Sequence, residues 1–302
     1  MSVLVHKAVE PDNLSVAGKK RFEGLVMSLI GGYDDVIVQP KYDGVYAQFI
    51  FDSKLGWQGF SRTGQLLKSV GQEILDPLHA FGLTERRYMG ELWVPQEAHQ
   101  VINGRARKQS PQWLELKLFD SVHEEPHGII PEQYAERYDY LFEGGNISKA
   151  PNLPMVGKVF VLDDLYDQAM ALRNRGASAY DGLILRDANG LFVPGKGTNG
   201  EVIKIKPRSE ADLRVVGTTR GIGNRAGGIG ALVVDLGGGL RNEVGTGLTM
   251  KDIAEKPKDV IGRIATIEYL GVTKDGHLRE PSFKTYRFDK DEADTITPET
   301  ED

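Results

Sequence analysis

A single lysine stands between two strand-like stretches near the beginning of the chain, in the segment VQPKYDGVYAQF. An apolar run precedes Lys41, and Asp43 and Gly44 follow it before a second run of alternating apolar residues. Burying an ammonium group is costly unless it is paired or loses its proton. Lys41 is therefore either a surface residue beside an Asp-Gly turn or an amine placed to act as a nucleophile.

Further polar residues occur where a pocket built on strands would need them. Each one lies inside or at the edge of a short apolar stretch that favours a β-strand. These residues are Arg62 in FSRTGQLL, Glu91 in YMGELWV, Phe119 in KLFDSV and Asp181 in DGLILRD.

A second pair of lysines alternates with apolar residues in the segment VIKIKP. Because side chains alternate along a strand, Lys204 and Lys206 are expected to share one face. Two ammonium groups on one face repel each other, so the arrangement is costly unless an anion lies against them. The pattern therefore predicts a bound anion at this strand.

Composition limits the classes of chemistry. The chain has 302 residues, a net charge of −6 and no cysteine, which excludes disulfides, thiol nucleophiles and cysteine-bound zinc. Its six histidines show no metal-ligand spacing. The acidic balance argues weakly against a nucleic-acid partner, but local basic patches such as GRARK and KIKPR matter more than the total, and either is also compatible with a solvated surface.

Segment patterns predict an α+β protein with two domains. Helices are expected at 13–30, 69–80, 131–142 and 164–175, with strands at 36–38, 45–51, 57–60, 88–94 and 114–119 and in DGLILRD and EVIKIKP. After Pro207 the chain becomes rich in glycine and short strands, as in a small β-barrel of the oligonucleotide-binding (OB) type. The expected domains are 1–207 and 208–290, with an acidic, disordered tail at 291–302.

The hydropathy pattern predicts neither a membrane span nor a secretory leader. No apolar run approaches the ~20 residues that a membrane helix needs, and the first residues lack a signal-peptide core. A cytoplasmic protein with no membrane partner is expected.

Seven short motifs occur in a fixed order between residues 39 and 290, and this ordered set resembles the covalent nucleotidyltransferase superfamily. The similarity is greatest to the minimal ATP-dependent DNA ligases of viral and bacteriophage type. The motifs are KYDG, SRTG, GELWV, KLFD, DGLIL, VIKIK and REPSFKTYRFDK.

The resemblance implies a fold and a reaction. It implies an adenylation (nucleotidyltransferase) domain of antiparallel sheets with flanking helices, followed by an OB-fold domain. Lys41 would attack the α-phosphate of ATP, with Lys204 and Lys206 depressing its pKa. The AMP would then pass to the 5′-phosphate of a nick in duplex DNA, where the 3′-hydroxyl displaces it. The processes served would be DNA replication, repair or recombination.

The resemblance also implies roles for individual residues. Asp43 would lie near the 3′-hydroxyl, Glu91 would bind the ribose, and Phe119 would stack on adenine. A metal ion, Mg²⁺ or Mn²⁺, would be held by Asp43, Glu91 and Asp181. Gln39 would bind the adenine amino group, and Arg62 would bind ATP and the 5′-phosphate. Arg279 would contact DNA. Arg279, Arg287 and Lys290 would also orient the leaving pyrophosphate.

Two positions depart from the family pattern. The first motif usually continues to an arginine five residues after the lysine, and this position is Tyr46. The fourth motif usually begins with glutamate, and here it begins with Asp181. Neither change removes the nucleophile, so we expect an active enzyme with altered efficiency or substrate preference.

Three alternatives remain open from the sequence. An RNA ligase or an RNA-capping guanylyltransferase belongs to the same superfamily, although VGTG and the R-x-P-x-F stretch favour a DNA ligase. A nucleic-acid-binding protein with a degenerate catalytic half is the alternative from another class, and Tyr46 and Asp181 support it. The expected partners are ATP and nicked duplex DNA, the expected state is a monomer, and a phage-encoded origin is left open.

Overall fold

The structure, a computed structural model, describes residues 3–123, 130–155, 159–173, 180–273 and 275–296. The chain divides into two units, Met1–Pro207 and Arg208–Asp302. Within these described ranges, no helix combines the length and apolar character needed to cross a bilayer.

The first unit combines short strands with helices of up to four turns. Its strands are β1 (His6–Lys7), β2 (Val36–Tyr42), β3 (Val45–Asp52), β4 (Gly56–Ser61), β5 (Arg86–Trp93), β6 (Glu115–His123), β7 (Ile130–Gln133), β8 (Ile147–Lys149), β9 (Tyr180–Asp187), β10 (Leu191–Phe192), β11 (Gly195–Lys196) and β12 (Val202–Ile205). Its helices are α1 (Val16–Gly31), α2 (Gln72–Phe81), α3 (His99–Ala106), α4 (Tyr134–Asp139) and α5 (Leu162–Arg173), with a 3₁₀ turn at Pro11–Asn13.

Strands β12, β9 and β2 form a three-stranded antiparallel sheet, called the small sheet below. Alternate residues such as Val38, Leu183 and Ile203 are buried against α1 and α5. Because side chains alternate along a strand, the residues between them project from the other face. That face carries Gln39 and Lys41.

Strands β4, β3, β5, β6 and β8 form a five-stranded sheet, the large sheet. One face packs its apolar residues, among them Phe49 and Leu116, against α2 and α3. The opposite face carries Tyr46 and Met89, which pack with the N-terminal residues 3–5. Each sheet thus has one apolar face that packs against helices and one face that carries both polar and apolar side chains. Polar residues of a functional site are expected on these second, mixed faces.

Helix boundaries follow capping residues where these exist. The side chain of Ser15 accepts a hydrogen bond from the Gly18 amide at 3.1 Å, and the left-handed Gly32 ends α1. The helix predicted at 131–142 is shorter, because β7 occupies its first residues and only Tyr134–Asp139 is helical. Helix α3 was not predicted, since its sequence HQVINGRA has little apolar periodicity.

The N-terminal strand β1 buries a histidine within the first unit. The His6 side chain is only 2% exposed, its ring packs edge-on against Phe192, and its Nε2 atom is 3.9 Å from Glu201. Neither ring nitrogen hydrogen-bonds with a described residue. Burial lowers the pKa of His6 to about 4, although the nearby Asp120 carboxylate acts in the opposite direction.

Acid is therefore expected to weaken the first unit through His6. The depressed pKa means that the unfolded chain binds a proton below pH 6.5 while the folded chain does not until about pH 4. Above pH 6.5 the titration of His6 leaves the free energy of unfolding unchanged. As the pH falls below 6.5, that free energy decreases, by about 2 kcal/mol at about pH 5. Denaturant unfolding should show that His6→Gln loses less stability than wild type on acidification. The exposed His79 offers the control, and an equal pH dependence of His6→Gln and His79→Gln would contradict the prediction.

The second unit is a barrel-like sheet in the order β15, β14, β13, β16, β19. Its core is formed by aliphatic residues of β13, β14, β15 and β16 together with the aromatic residues Phe283 and Tyr286 of β19. The elements are β13 (Ser209–Arg220), β14 (Ile229–Gly237), β15 (Leu240–Val244), β16 (Ile264–Tyr269), β17 (Gly271–Val272), β18 (Leu278–Arg279) and β19 (Ser282–Arg287), the short helices α6 (Met250–Ile253) and α7 (Pro257–Val260), and a 3₁₀ turn at Gly223–Arg225.

The acidic end of the chain begins as an ordered segment. The sequence predicts disorder at 291–302, but the Asp294 amide donates to the Asp212 carbonyl at 2.8 Å, and the Ile296 amide donates to the Leu236 carbonyl at 2.9 Å. These two bonds fix residues 294–296 against the barrel. Residues 297–302 lie outside the described part of the chain.

Candidate active site

Lys41 lies on the mixed face of the small sheet, in register with Gly182 of β9. Its Nζ atom is 2.7 Å from Oδ2 of Asp181, and Nζ of Lys206 is 3.5 Å from the same oxygen. Gly182 has a φ of 140°, and a Cβ there would lie 2.1 Å from the Ile205 carbonyl oxygen. A glycine is thus required for Asp181 to stand beside both lysines.

The Lys41 amine is more basic than the sequence predicts. Burial acts to lower its pKa, but Asp181, Glu91 and Asp43 outweigh burial, and the pKa of Lys41 is raised. The expected depression by Lys204 and Lys206 is not seen, because both lysines are paired with carboxylates. Lys41 must therefore transfer a proton before it can attack an electrophile.

The two lysines of the VIKIK segment have separate partners. Lys206 is paired with Asp181, and Nζ of Lys204 is 3.4 Å from Glu10. These two carboxylates supply the negative charge that the sequence analysis assigned to a bound anion. The charge of these two lysines is therefore balanced without a bound anion.

Asp43 is buried in the turn after β2, next to a residue that the sequence did not indicate. Its Oδ1 atom is 3.3 Å from Nδ1 of His99, the first residue of α3. Asp43 also lies close enough to raise the pKa of Lys41. The beginning of α3 thus reaches the same cluster as the predicted nucleophile.

Glu91 lies on β5, in register with Tyr46 of β3 and Lys117 of β6. Burial raises the pKa of Glu91 to about 7, and the positive charges of Lys41 and Arg62 only partly compensate. The neutral form of this carboxyl is therefore favoured far more than that of a carboxyl in water. A bound group that donates hydrogen bonds, such as a ribose, would favour its charged form.

The three predicted metal ligands lie near one another without forming a closed metal site. Asp43 and Asp181 both raise the pKa of Glu91 through their charges. Within the ranges that the structure describes, no three His, Asp or Glu side chains are arranged to hold an ion by themselves. Mg²⁺ commonly binds through one or two carboxylates together with substrate phosphates. The residues therefore fit a metal that arrives with a nucleotide.

Tyr46 occupies the position where the family usually has arginine, and it supports another arginine. The Arg62 guanidinium lies 5.3 Å from the centre of the Tyr46 ring, and the centre of the Phe119 ring lies 6.1 Å from that of Tyr46. The Tyr46 hydroxyl donates to the Leu4 carbonyl at 3.0 Å. Tyr46 is thus a buried platform between two residues predicted to bind substrate.

If Arg62 holds the 5′-phosphate of a nick, as the resemblance implies, removing the Tyr46 platform should weaken the binding of that nick. A cation–π contact contributes about 0.5–2 kcal/mol, so Tyr46→Leu should weaken binding of 5′-phosphorylated nicked DNA roughly 3- to 30-fold, while Tyr46→Phe stays near wild type. Fluorescence anisotropy with 5′-phosphate and 5′-hydroxyl nicks would measure the effect. Equal losses on both nicks would show that Tyr46 does not act through the 5′-phosphate.

Gln39 is held by an arginine that the sequence analysis did not select. Its Oε1 atom accepts a hydrogen bond from Nε of Arg186 at 2.9 Å, and its Nε2 atom is 3.4 Å from the Ala150 carbonyl oxygen. The Arg186 guanidinium also lies 5.0 Å from the Phe119 ring centre. Arg186 therefore fixes both residues predicted to contact adenine.

The cations predicted to orient pyrophosphate are held by carboxylates in the second unit. Nη1 of Arg287 donates to Oδ2 of Asp212 at 2.8 Å, and Nζ of Lys290 donates to the same oxygen. Asp212 is buried, its Oδ1 accepts from the Thr266 hydroxyl at 2.5 Å, and Asp289 binds the other side of the Arg287 guanidinium. Arg279 lies on β18, paired with β17. Asp212 was not indicated by any sequence motif.

Comparisons with known proteins find partial similarity to DNA ligases. Residues 220–287 match the model of the DNA ligase OB-like domain. The DNA ligase of Enterobacteria phage T3 is 27% identical over 234 residues, which cover 74% of this chain and 61% of the phage protein. The chain spans only 26% to 61% of the length of the curated relatives that it matches.

Solved structures agree with the predicted fold. A structure from a structure–function study of Lig E DNA ligases superposes with a TM-score of 0.69 at 18% identity, covering 95% of this chain and all of the other. The ATP-dependent DNA ligase from bacteriophage T7 in complex with ATP gives a TM-score of 0.52 at 19% identity, covering 93% and 98% of the two chains. These matches confirm the α+β fold, with antiparallel sheets and flanking helices in the first unit and an OB-like domain after it.

Proposed function

We propose that this chain, which has the fold of the minimal ATP-dependent DNA ligases, seals nicks between a 5′-phosphate and a 3′-hydroxyl in duplex DNA. The observation that carries the proposal is Lys41, held by Asp181 beside Lys206 and within electrostatic reach of Asp43 and Glu91. A nucleophilic amine, a proton acceptor, a phosphate-binding cation and carboxylates for a metal are the groups that adenylyl transfer requires.

The first step forms a bond between Lys41 and AMP. Lys41 first gives its proton to Asp181, whose oxygen is 2.7 Å away, and the neutral amine then attacks the α-phosphorus of ATP. A phosphorus–nitrogen bond forms, the bond to the β-phosphate oxygen breaks, pyrophosphate leaves, and the second proton of the amine passes to the departing pyrophosphate or to solvent. Lys206 is placed to stabilise the charge on the phosphate. A phosphate that draws Lys206 away from Asp181 would leave this carboxylate more basic and so a better proton acceptor.

The predicted binding residues complete this proposal. Phe119, fixed by Arg186, would stack on adenine, Gln39 would bind the adenine amino group, and Glu91 would accept hydrogen bonds from the ribose. Asp43 and Glu91 would hold Mg²⁺ or Mn²⁺ that binds with the nucleotide, Asp181 would join them once it has passed the Lys41 proton to solvent, and that ion would neutralise phosphate charge. Lys204 lies two residues before Lys206, and it would meet the phosphates if they displaced Glu10.

The later steps join the DNA. Arg62, supported by Tyr46, would hold the 5′-phosphate that receives AMP from Lys41. Asp43 would orient the 3′-hydroxyl, which attacks the 5′-phosphorus and releases AMP. In the second unit, Arg279 would contact DNA. We propose a monomeric enzyme that acts inside the cell, where ATP is available.

Self-labelling followed by sealing tests the proposed function. The protein is incubated with radioactive ATP and Mg²⁺, and then with matched nicked duplexes whose broken strand is DNA or RNA. We expect a protein–AMP adduct and sealing of the DNA nick. Sealing of RNA alone would favour the RNA ligase, and binding of nicked DNA without any adduct would favour a degenerate binding protein.

A further inference from the structure

A stretch of the first unit has a charge opposite to that of the whole chain. Residues 98–113 contain Arg105, Arg107 and Lys108 but no aspartate or glutamate, whereas the full chain has 43 acidic residues and a net charge of −6. The stretch consists of α3 and the loop after it. Such a local positive surface attracts phosphate groups even in an acidic protein.

Within this stretch, two cations and one aromatic residue face solvent. Arg107 and Lys108 are exposed and make no ion pair with any described residue. Arg105 differs, because its guanidinium is 3.1 Å from Glu97. Trp113 is 53% exposed, while the other two tryptophans, Trp57 and Trp93, are 4% and 7% exposed. We name Arg107, Lys108 and Trp113 the α3 surface.

The contact between His99 and Asp43 connects the α3 surface with the predicted active site. His99 begins α3 and lies 3.3 Å from Asp43, which the proposed function places near the 3′-hydroxyl. Arg107 follows His99 by eight positions, which is about 12 Å along a helix. A DNA strand rises roughly 3.4 Å per nucleotide, so for a strand that runs along α3 this separation corresponds to roughly three to four nucleotides.

We propose that the α3 surface binds the backbone of the DNA strand that ends in the 3′-hydroxyl, three to four nucleotides from the nick. Arg107 and Lys108 pair with phosphates, and the bound strand covers Trp113. The inference rests on the proposed function, since Asp43 marks the 3′-hydroxyl only in a ligase. Its chemical basis is charge complementarity between two unpaired cations and a polyanion.

Salt-dependent binding tests the two cations. We compare Arg107→Ala/Lys108→Ala with Lys19→Ala/Lys20→Ala, a matched change of two adjacent exposed cations on α1. Loss of two phosphate contacts should lower the slope of log Kd against log salt concentration by about 2, and should weaken binding of nicked DNA roughly 10-fold at about 0.1 M salt. Self-adenylylation, which needs no DNA, should stay unchanged. An unchanged slope with normal adenylylation would overturn the α3 surface and leave the ligase proposal intact.

Chemically modified DNA locates the contact. A neutral methylphosphonate is placed in turn at each of the first eight phosphates on the 3′-hydroxyl side of the nick. Wild type should lose affinity at the positions three to four nucleotides from the nick, and the double variant should lose nothing further there. A loss of affinity centred on the 5′-phosphate side of the nick would overturn the assignment. So would an equal further loss of affinity when the methylphosphonate DNA is bound by the double variant.

Tryptophan fluorescence gives a readout independent of affinity. Since Trp113 is the most exposed of the three tryptophans, acrylamide quenching reports mainly on this side chain. Saturating nicked DNA should reduce quenching in wild type, and Trp113→Phe should remove the change. Undiminished quenching at saturation would show that the strand does not cover Trp113. A wild-type protein that binds DNA but forms no AMP adduct would instead overturn the proposed function.

Discussion

Replacing Lys41 by alanine is expected to abolish covalent attachment of AMP. The amine supplies the only bond between protein and nucleotide in the proposed mechanism, so no binding interaction can substitute for it. Loss of a nucleophile commonly costs about 10⁴-fold or more in rate. Mass spectrometry after incubation with ATP and Mg²⁺ should find AMP on the peptide that carries Lys41 and nowhere else.

Two variants separate loss of chemistry from loss of structure. Lys41→Arg keeps a positive charge beside Asp181, so the variant should fold normally. Because its guanidinium stays protonated, the variant should not form the covalent bond to AMP. Lys54→Ala, at an exposed lysine of the same unit, should label like wild type. An adduct of equal yield on Lys41→Ala protein would contradict the assignment. DNA that already carries a 5′-adenylate should still be sealed by Lys41→Arg, though more slowly.

Replacing Arg287 and Lys290 together by alanine is expected to slow self-adenylylation far more than sealing. If these cations stabilise the departing pyrophosphate, their benefit is confined to the step in which that group leaves. The loss of an electrostatic stabiliser is worth about 10²- to 10³-fold. Single-turnover rates of adenylylation, and of sealing a nick that already carries 5′-adenylate, would measure both effects.

The double variant also removes both cations from Asp212, so a control for the fold is needed. Lys251→Ala/Lys258→Ala changes two exposed lysines of the same unit and should leave both rates unchanged. A third protein, Asp212→Asn/Arg287→Ala/Lys290→Ala, removes the unpaired buried carboxylate. If its adenylylation rate recovers to that of wild type, or if both steps lose equally in the double variant, the role in pyrophosphate departure is contradicted.

The sequence predicts the parts of this protein that depend on local pattern. Alternating apolar residues identify most strands of both sheets, and the DGLIL and VIKIK segments do form neighbouring strands. Helix α3 is not evident from the sequence because its apolar face is small. The helix expected over 131–142 begins later, at Tyr134, because Gln133 and Glu136 form the capping box that starts it.

Partners from distant parts of the chain could not be predicted. Asp181 meets Lys41 across 140 residues, and the ion pair reverses the expected direction of the pKa of that lysine. His99, Arg186 and Asp212 belong to no motif that we selected, yet each contacts a residue that does. Residue types at fixed spacing indicate which groups take part in the chemistry, while their charge states depend on contacts that only folding creates.

The Asp212 cluster changes how the binding of a polyphosphate should respond to ionic conditions. Arg287 and Lys290 share one carboxylate oxygen, so they reach a phosphate only by exchanging one anionic partner for another. Such an exchange releases few condensed counterions, because the cations are already neutralised before the phosphate arrives. The equilibrium constant of this exchange is the affinity of the two cations for phosphate divided by their affinity for Asp212, and these two affinities are similar. Pyrophosphate should then be released almost as readily as it is held, and adenylylation should depend less on salt than the binding of DNA.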